Sequence, residues 1–192
     1  MLHAGIQAAY LKNSKAAMEQ KGVCLYTDIN PDAENAYPVL ATVDGASFLA
    51  NPLLSEEVFG PYSILVQCKD MNELKSVWTS LHGQITTTIM GTDKDLHDNK
   101  SLLDKAFLLA GRVVINGVPT GVEVCDSMVH GGPYPASTDS RFTAVGVKAV
   151  KRWLRPVSYQ NWPDQLLPEA LQNANPLKIW RSIDGQLSKD AL

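Results

Sequence analysis

Cysteine is scarce in this chain: Cys24, Cys68 and Cys125 are an odd number, widely separated, and form no C-x-x-C pair. That excludes a disulfide framework and argues against a zinc site, and reduced thiols point to a cytoplasmic protein. Basic clusters are absent as well. The 17 Lys and Arg are outweighed by 20 Asp and Glu, for a net charge of −3, and no Lys/Arg run is interleaved with aromatics, which argues against a nucleic-acid partner. No apolar run approaches a membrane span, and no basic segment followed by an apolar core marks an export signal at the N-terminus. The histidines His3, His82, His97 and His130 are scattered, which leaves no metal-ligand spacing. There is no G-x-G-x-x-G, no P-loop and no G-x-S-x-G, so the commonest nucleotide and hydrolase signatures are missing.

What is present is ordinary globular composition, 45% hydrophobic and 19% charged over 192 residues, enough for one domain with a full core. Residues 2–21 read as a helix through Leu2, Ile6, Ala9, Tyr10, Ala16 and Ala17, stopped by Gly22. No capping residue precedes it, which suggests a chain cut from something longer. A short strand over 23–29, a turn at 30–32 and a strand over 37–43 follow, with Asp44-Gly45 expected to close a hairpin onto 46–49. The row Ile64, Leu65, Val66 predicts a strand over 62–67 covered on both faces. Asp70, with Glu73 as a capping-box partner, opens a helix with the stripe Met71, Leu74, Trp78 and Leu81, ended by His82-Gly83. Then come a β-branched strand over 85–90, a polar loop over 91–100, a helix faced by Leu102, Leu103, Ala106, Leu109 and Ala110, and a strand over 112–115. Strands alternating with helices on short links predict an α/β fold with a mainly parallel sheet.

Periodicity stops over 116–141, a loop rich in Gly and Pro. Loops of that length in a compact domain are usually functional, and this one leaves the C-terminal end of a strand, where parallel sheets bind ligands. Cys125 near His130 could be a nucleophile with its base, against the blander reading of a packing residue. A helix over 143–154 and an extended strand over 155–162, carrying Val157 and Tyr159 between Pro156 and Pro163, follow. The tail holds Pro168 and Pro176 and gathers around Leu166, Leu167, Ile179 and Trp180, with Trp153, Trp162 and Trp180 expected as core or interface anchors.

One stretch organises the rest: Glu56-Glu57-Val58-Phe59-Gly60-Pro61. A carboxylate can accept from both hydroxyls of a ribose diol, a phenyl two residues on can contact a flat heterocycle, and Gly-Pro turns the chain before the next strand. The stretch resembles the E-E-x-F-G-P signature of the NAD(P)-dependent aldehyde dehydrogenases. There the second Glu binds the nicotinamide ribose and the Phe packs near the ring, roles that fall on Glu57 and Phe59. Gly111-Arg-Val-Val-Ile-Asn116 is similar to the family's Gly-x-Val-x-Ile-Asn strand, and His130-Gly131-Gly132 stands where most members have Pro-Phe-Gly-Gly. The departures, Asn-Gly-Val-Pro-Thr-Gly-Val-Glu-Val from Asn116 onward and Met-Val-His-Gly-Gly-Pro-Tyr-Pro from Met128, are similar to the 2,5-dioxopentanoate (α-ketoglutarate semialdehyde) branch.

The resemblance implies a three-layer αβα catalytic-domain fold over 1–154, followed by an oligomerisation strand and tail over 155–192. It implies NADP or NAD as cofactor, held mainly by a domain absent from this chain. A small aldehyde substrate is implied too, in a pocket lined by Asn116, Pro119, Thr120, Val122 and His130, and assembly into a homodimer or larger. In that family a Cys in a Gly-Gln-x-Cys context attacks the aldehyde, hydride passes to the nicotinamide and an upstream Glu activates water. Neither motif occurs here, so the chain has the look of a C-terminal part of such an enzyme, without catalytic residues of its own. The competing expectation is an interaction module derived from the same family.

Overall fold

The computed structural model describes residues 1–27 and 36–192, which separate into two compact units, Met1–Arg152 and Trp153–Leu192. The expected turn at 30–32 and the end of the strand over 23–29 lie outside the described residues.

In the first unit, α1 (Ala4–Met18) does have a cap: His3 is extended, and its Nδ1 accepts from the Ile6 amide at 3.4 Å. The buried face is Tyr10 and Ser14, one turn apart, rather than the line through Leu2, which is 90% exposed. After it, β1 (Cys24–Leu25) runs antiparallel to β2 (Val39–Asp44), and β2 runs parallel to β3 (Tyr62–Gln67) over its full length. The Asp44-Gly45 hairpin does not form. Gly45–Ala50 is a helix, α2, because the Asp44 carboxylate caps it, accepting from the Ser47 amide at 2.8 Å and the Ser47 hydroxyl at 2.7 Å. A parallel partner for β2 requires such a crossover, whereas a two-residue turn would return the chain antiparallel. In β3 half-buried and exposed residues alternate, with Leu65 49% exposed, so the strand is covered on one face and not on two. The core beneath is Val43, Phe48, Leu54 and Val77, with Val23, Ile64, Val66, Cys68 and Leu81 packed against it. Burial in that layer, with the charges of Glu73 and Asp70 nearby, pushes the Cys68 thiol up and leaves it protonated.

Helix α3 (Met71–Ser80) starts where expected: Asp70 accepts from the Asn72 and Glu73 amides at 2.8 and 2.9 Å. Glu73 reaches one residue further back than a capping box does, to the Lys69 amide at 2.7 Å. Val77 is its buried residue, while Met71 is exposed. Strand β4 (Gln84–Ile89) pairs in parallel with β5 (Ala110–Ile115). The segment between them is more helical than its polarity suggests. Helix α4 (Asp93–Asp98) is opened by a reciprocal Thr92–Asp95 capping box, and Lys94 pairs with Asp98 on its exposed side. The next helix is two short pieces, α5 (Lys100–Leu103) and α6 (Ala106–Leu109), and Ala110 already belongs to β5. Each parallel pair is thus joined by helical crossovers, the α/β arrangement expected, with the strands divided between a three-stranded and a two-stranded sheet.

Residues 116–148 carry neither helix nor strand. The helix expected over 143–154 shrinks to a single 3-10 segment, Ala149–Trp153. Two features prevent it: Gly146 sits at φ +94 against the Cys125 carbonyl, and the Thr143 hydroxyl is engaged with backbone of the preceding loop.

In the second unit, Asn175 is the organiser. It is 3% exposed, its amide donates to the carbonyls of Ile179 at 3.0 Å and Lys189 at 2.8 Å, and its oxygen accepts from the Ile179 amide. Arg181 likewise donates to the carbonyls of Gln172, Asn173 and Asp190. A hairpin of β6 (Arg181–Ile183) and β7 (Gln186–Ser188) closes through Asp184 and Gly185, both at positive φ as a type I′ turn requires. Residues 155–162 join no ladder among the described residues, and Trp153, Trp162 and Trp180 are more than half exposed, so they are not core anchors here. Tyr159 and Trp162 make an edge-to-face pair at 5.5 Å.

Candidate functional site

The Glu-Glu-Val-Phe-Gly-Pro stretch is built from below. Asn51 accepts from the Leu53 amide, starting the 3-10 turn Pro52–Ser55, and donates to Gln20 beyond the end of α1 at 2.9 Å. Leu54 is buried in the core, and the chain then emerges with Glu56, Glu57 and Phe59 exposed, the last at 64%. It turns back at Gly60, where φ is +154 and an added Cβ would stand 2.3 Å from the Tyr10 ring. Pro61 hands the chain to β3, its carbonyl accepting from the Val39 amide at 2.8 Å. The Tyr10 hydroxyl donates to the Tyr37 carbonyl at 2.6 Å and leans on the Pro61 carbonyl at 3.3 Å. Burial raises the pKa of Tyr10 and Tyr62 alike, so both keep their protons. Among the described residues nothing pairs the Glu57 carboxylate. An unpaired, exposed carboxylate two residues from an exposed phenyl is compatible with a ribose and a flat base, so the residues present fit a nicotinamide nucleoside.

The long loop is fastened at both ends of the β4–β5 pair. At the C-terminal end, Asn116 adopts φ +50 and exchanges both amide hydrogen bonds with the Gly91 backbone at 2.9 Å, joining the two strand exits. At the N-terminal end, Gly131 and Gly132 lie directly on the strand starts. A Cβ on Gly111 would come 2.4 Å from the Gly131 carbonyl oxygen, and one on Gly132 would come 2.2 Å from that of Gln84. His130 is held beside them: its amide donates to Thr143 Oγ1 at 2.8 Å and its carbonyl accepts from the Ala144 amide at 2.8 Å, while its Nδ1 is buried without a partner among the described residues.

Asn116 and His130 are therefore not brought together. They sit at opposite ends of a strand about 16 Å long at the usual rise. Pro119, Thr120 and Val122 lie between them on the exposed part of the loop. Cys125 is half-buried, with Ser127 Oγ 3.5 Å from its sulfur. Near the loop's end the Arg141 guanidinium grips Asp139 and holds its carboxyl at about 2. Tyr10 is the residue whose part in this region the sequence did not reveal: its helical spacing marked it as core, and nothing in its neighbours signalled the hydrogen bonds 27 and 51 residues away.

A cavity of about 470 Å³ lies elsewhere, between α3 and the α5–α6 segment, walled by Trp78, Leu81, Leu102, Leu108 and Leu109 with Lys75 and Lys105. It includes none of the expected site residues. Among the described residues there is no group of three or more His, Cys, Asp or Glu side chains able to hold a metal, and no helix long and apolar enough to cross a membrane.

No protein-family model matches the chain. It is 50% identical over 147 residues, 77% of its length, to alpha-ketoglutaric semialdehyde dehydrogenase 2 of Azospirillum brasilense. It is 43% identical over 193 aligned positions, 99% of its length, to alpha-ketoglutaric semialdehyde dehydrogenase of Acinetobacter baylyi. The chain spans 28% and 37% of the length of these two relatives. Among solved structures, it is similar to succinic semialdehyde dehydrogenase from Streptococcus pyogenes in complex with NADP+ (TM-score 0.51, 21% identity, 68% of this chain and 27% of that one). It is also similar to a 3,6-anhydro-L-galactose dehydrogenase (TM-score 0.56, 18% identity, 80% and 31%). A third likeness is to the Delta-pyrroline-5-carboxylate dehydrogenase from Mycobacterium tuberculosis bound with NAD (TM-score 0.53, 19% identity, 84% and 31%). The structural likenesses speak for the fold, and the sequence identities for descent: the chain belongs to the aldehyde dehydrogenase family, as a stretch matching about a third of the length of its curated relatives.

Proposed function

We propose that this chain supplies part of the catalytic domain of an enzyme that oxidises a small aldehyde, 2,5-dioxopentanoate in the first instance, to its carboxylate with NADP or NAD. The observation that carries the reading is the exposed Glu57–Phe59 pair on a turn fixed from beneath. When bound, the nicotinamide is the hydride acceptor. Glu57 would hold the nicotinamide ribose and Phe59 would lie against the ring, while the adenosine half, the nucleophilic Cys and the water-activating Glu come from polypeptide outside this chain. The loop that runs from Asn116 through Pro119, Thr120 and Val122 to His130 supplies the aldehyde side in this reading. Because Asn116 and His130 stand at opposite ends of the strand pair, the reading gives Asn116 the strand exits and the aldehyde contact to the exposed stretch through Pro119, Thr120 and Val122. The enzyme is cytoplasmic, residues 1–154 form the catalytic portion, and 155–192 serve assembly.

The cofactor reading is tested on the chain itself with reduced nicotinamide mononucleotide, which presents only the half that Glu57 and Phe59 would touch. A charge-assisted hydrogen bond is worth roughly 1.5 to 3 kcal/mol, so Glu57→Gln should weaken binding about tenfold to a hundredfold by fluorescence titration. Equal affinity in both proteins removes Glu57 from the site.

Assembly has its own measurement. Residues 155–162 have β-favouring Val157 and Tyr159, no ladder of their own among the described residues, and prolines at both ends to set where pairing begins and stops. Addition to a second copy's sheet edge would satisfy their backbone. Sedimentation should give a dimer or larger for the intact chain and a smaller species for one ending at Leu154. A monomer in both, well above micromolar concentration, rejects the strand's role.

A further inference from the structure

The turn that carries Glu57 and Phe59 has no rigid structure of its own. Between the 3-10 turn Pro52–Ser55 and β3 lie six residues, whose local backbone bonds are at the two ends: the Glu56 amide to the Leu53 carbonyl at 3.4 Å and the Tyr62 amide to the Gly60 carbonyl at 2.8 Å. Its direction is imposed from α1. Tyr10 is fully buried, and its ring lies so close under Gly60 that a methyl group would not fit between them. Its hydroxyl reaches past the ring edge to two carbonyls, Tyr37 before β2 and Pro61 before β3, the entrances of two parallel neighbours. One proton cannot serve both fully. The shorter contact, to Tyr37, takes it, and the Pro61 carbonyl keeps its main bond from the Val39 amide. Hydroxyl and ring together hold the mouths of β2 and β3 at one spacing and set the height at which the turn crosses them.

We infer that Tyr10 is a positioning residue: it fixes the orientation of the Gly60-Pro61 turn and thereby where Glu57 and Phe59 stand. The role of those two residues rests on the cofactor reading above; the role of Tyr10 in holding the turn does not. The ring supplies the floor, which Phe would keep, and the hydroxyl supplies the clamp, which Phe would lose. Separating the two by substitution is therefore direct.

The experiment is amide hydrogen exchange on the intact chain, read at Val39 and Tyr62, whose amides bond to Pro61 and Gly60, and at Glu73 and Asn116 as remote amides bonded to Asp70 and Ile89. Tyr10→Phe should speed exchange at Val39 and Tyr62 by about fivefold to tenfold, the opening factor for losing one hydrogen bond, with Glu73 and Asn116 unchanged. Gly60→Ala, which lifts the turn off the ring with the hydroxyl intact, should speed the same two amides. Unchanged rates in Tyr10→Phe overturn the inference, and so does an equal rise at all four amides, since that describes a general strut of the fold. The same variant is titrated with reduced nicotinamide mononucleotide beside Glu57→Gln. Weakening in both supports the inference; weakening in Glu57→Gln alone overturns it. If Glu57→Gln leaves affinity unchanged, the cofactor reading fails, and the exchange rates still decide for or against Tyr10.

Discussion

Gly132→Ala is expected to lower the unfolding free energy of the first unit by about 3 kcal/mol or more, measured by urea denaturation followed by circular dichroism. Overpacking usually costs about 1 to 3 kcal/mol because neighbours shift to make room. Here the obstructing atom is backbone: the new methyl would stand 2.2 Å from the Gln84 carbonyl oxygen. Gln84 is the first residue of β4 and is in register with Ala110, so it cannot retreat without opening the strand pair at its start. Gly111 faces the same obstacle from the other strand, 2.4 Å from the Gly131 carbonyl. Gly121 is the internal control, since nothing lies within 4 Å of its added Cβ. Gly121→Ala should be neutral or slightly stabilising, through the lower entropy of the unfolded chain. Equal stabilities for Gly132→Ala and Gly121→Ala would mean that the loop does not rest on the strands.

The second large effect is catalytic silence. With 2,5-dioxopentanoate and NADP+ or NAD+, the isolated chain should form reduced cofactor at the background rate. Loss of a nucleophile alone costs a rate on the order of a millionfold in enzymes that rely on covalent attack. Cys125 is not expected to substitute. A reactive thiol needs a cation, a base or a helix N-terminus to favour its thiolate, and the polar neighbour at Cys125 is a serine hydroxyl, 3.5 Å away. Its backbone is also committed, with Gly146 packed over its carbonyl. Cys125→Ala should change nothing. Turnover above background that disappears in Cys125→Ala would make that cysteine a nucleophile and overturn the prediction.

Much of this was legible in the residues, for reasons that differ from place to place. Strand β3 and the start of α3 were read to the residue, because Asp70 caps in a way that depends only on the next three positions. The Asp44-Gly45 pair misled because the same dipeptide serves a tight turn and a helix start. What decides is the strand that β2 will pair with, and that lies 18 residues further on. The polar 91–100 segment concealed α4 because a surface helix stabilised by a capping box and an ion pair needs no apolar stripe. Glu57 and Phe59 stand out as candidates through a motif, and the structure leaves both exposed. The floor beneath them was not found, since the contact between Tyr10 and Gly60 depends on tertiary placement with no local signature. The same limit applies to the loop: Asn116 and His130 belong to one uninterrupted stretch of sequence, but the strand pair holds them at its two ends.

Residues 117–129 are pinned at one end by the Asn116 amide and at the other by the stacked glycines, with Cys125 and Met128 packed under Gly146, and the stretch 118–124 between them is largely exposed. The two roles are physically separate, so the middle behaves as a replaceable cassette. Exchanging the side chains of residues 118–124 leaves the strand register and both anchors intact. Changes in that stretch need no stability gained elsewhere, whereas the same number of changes at 130–132 would undo the scaffold.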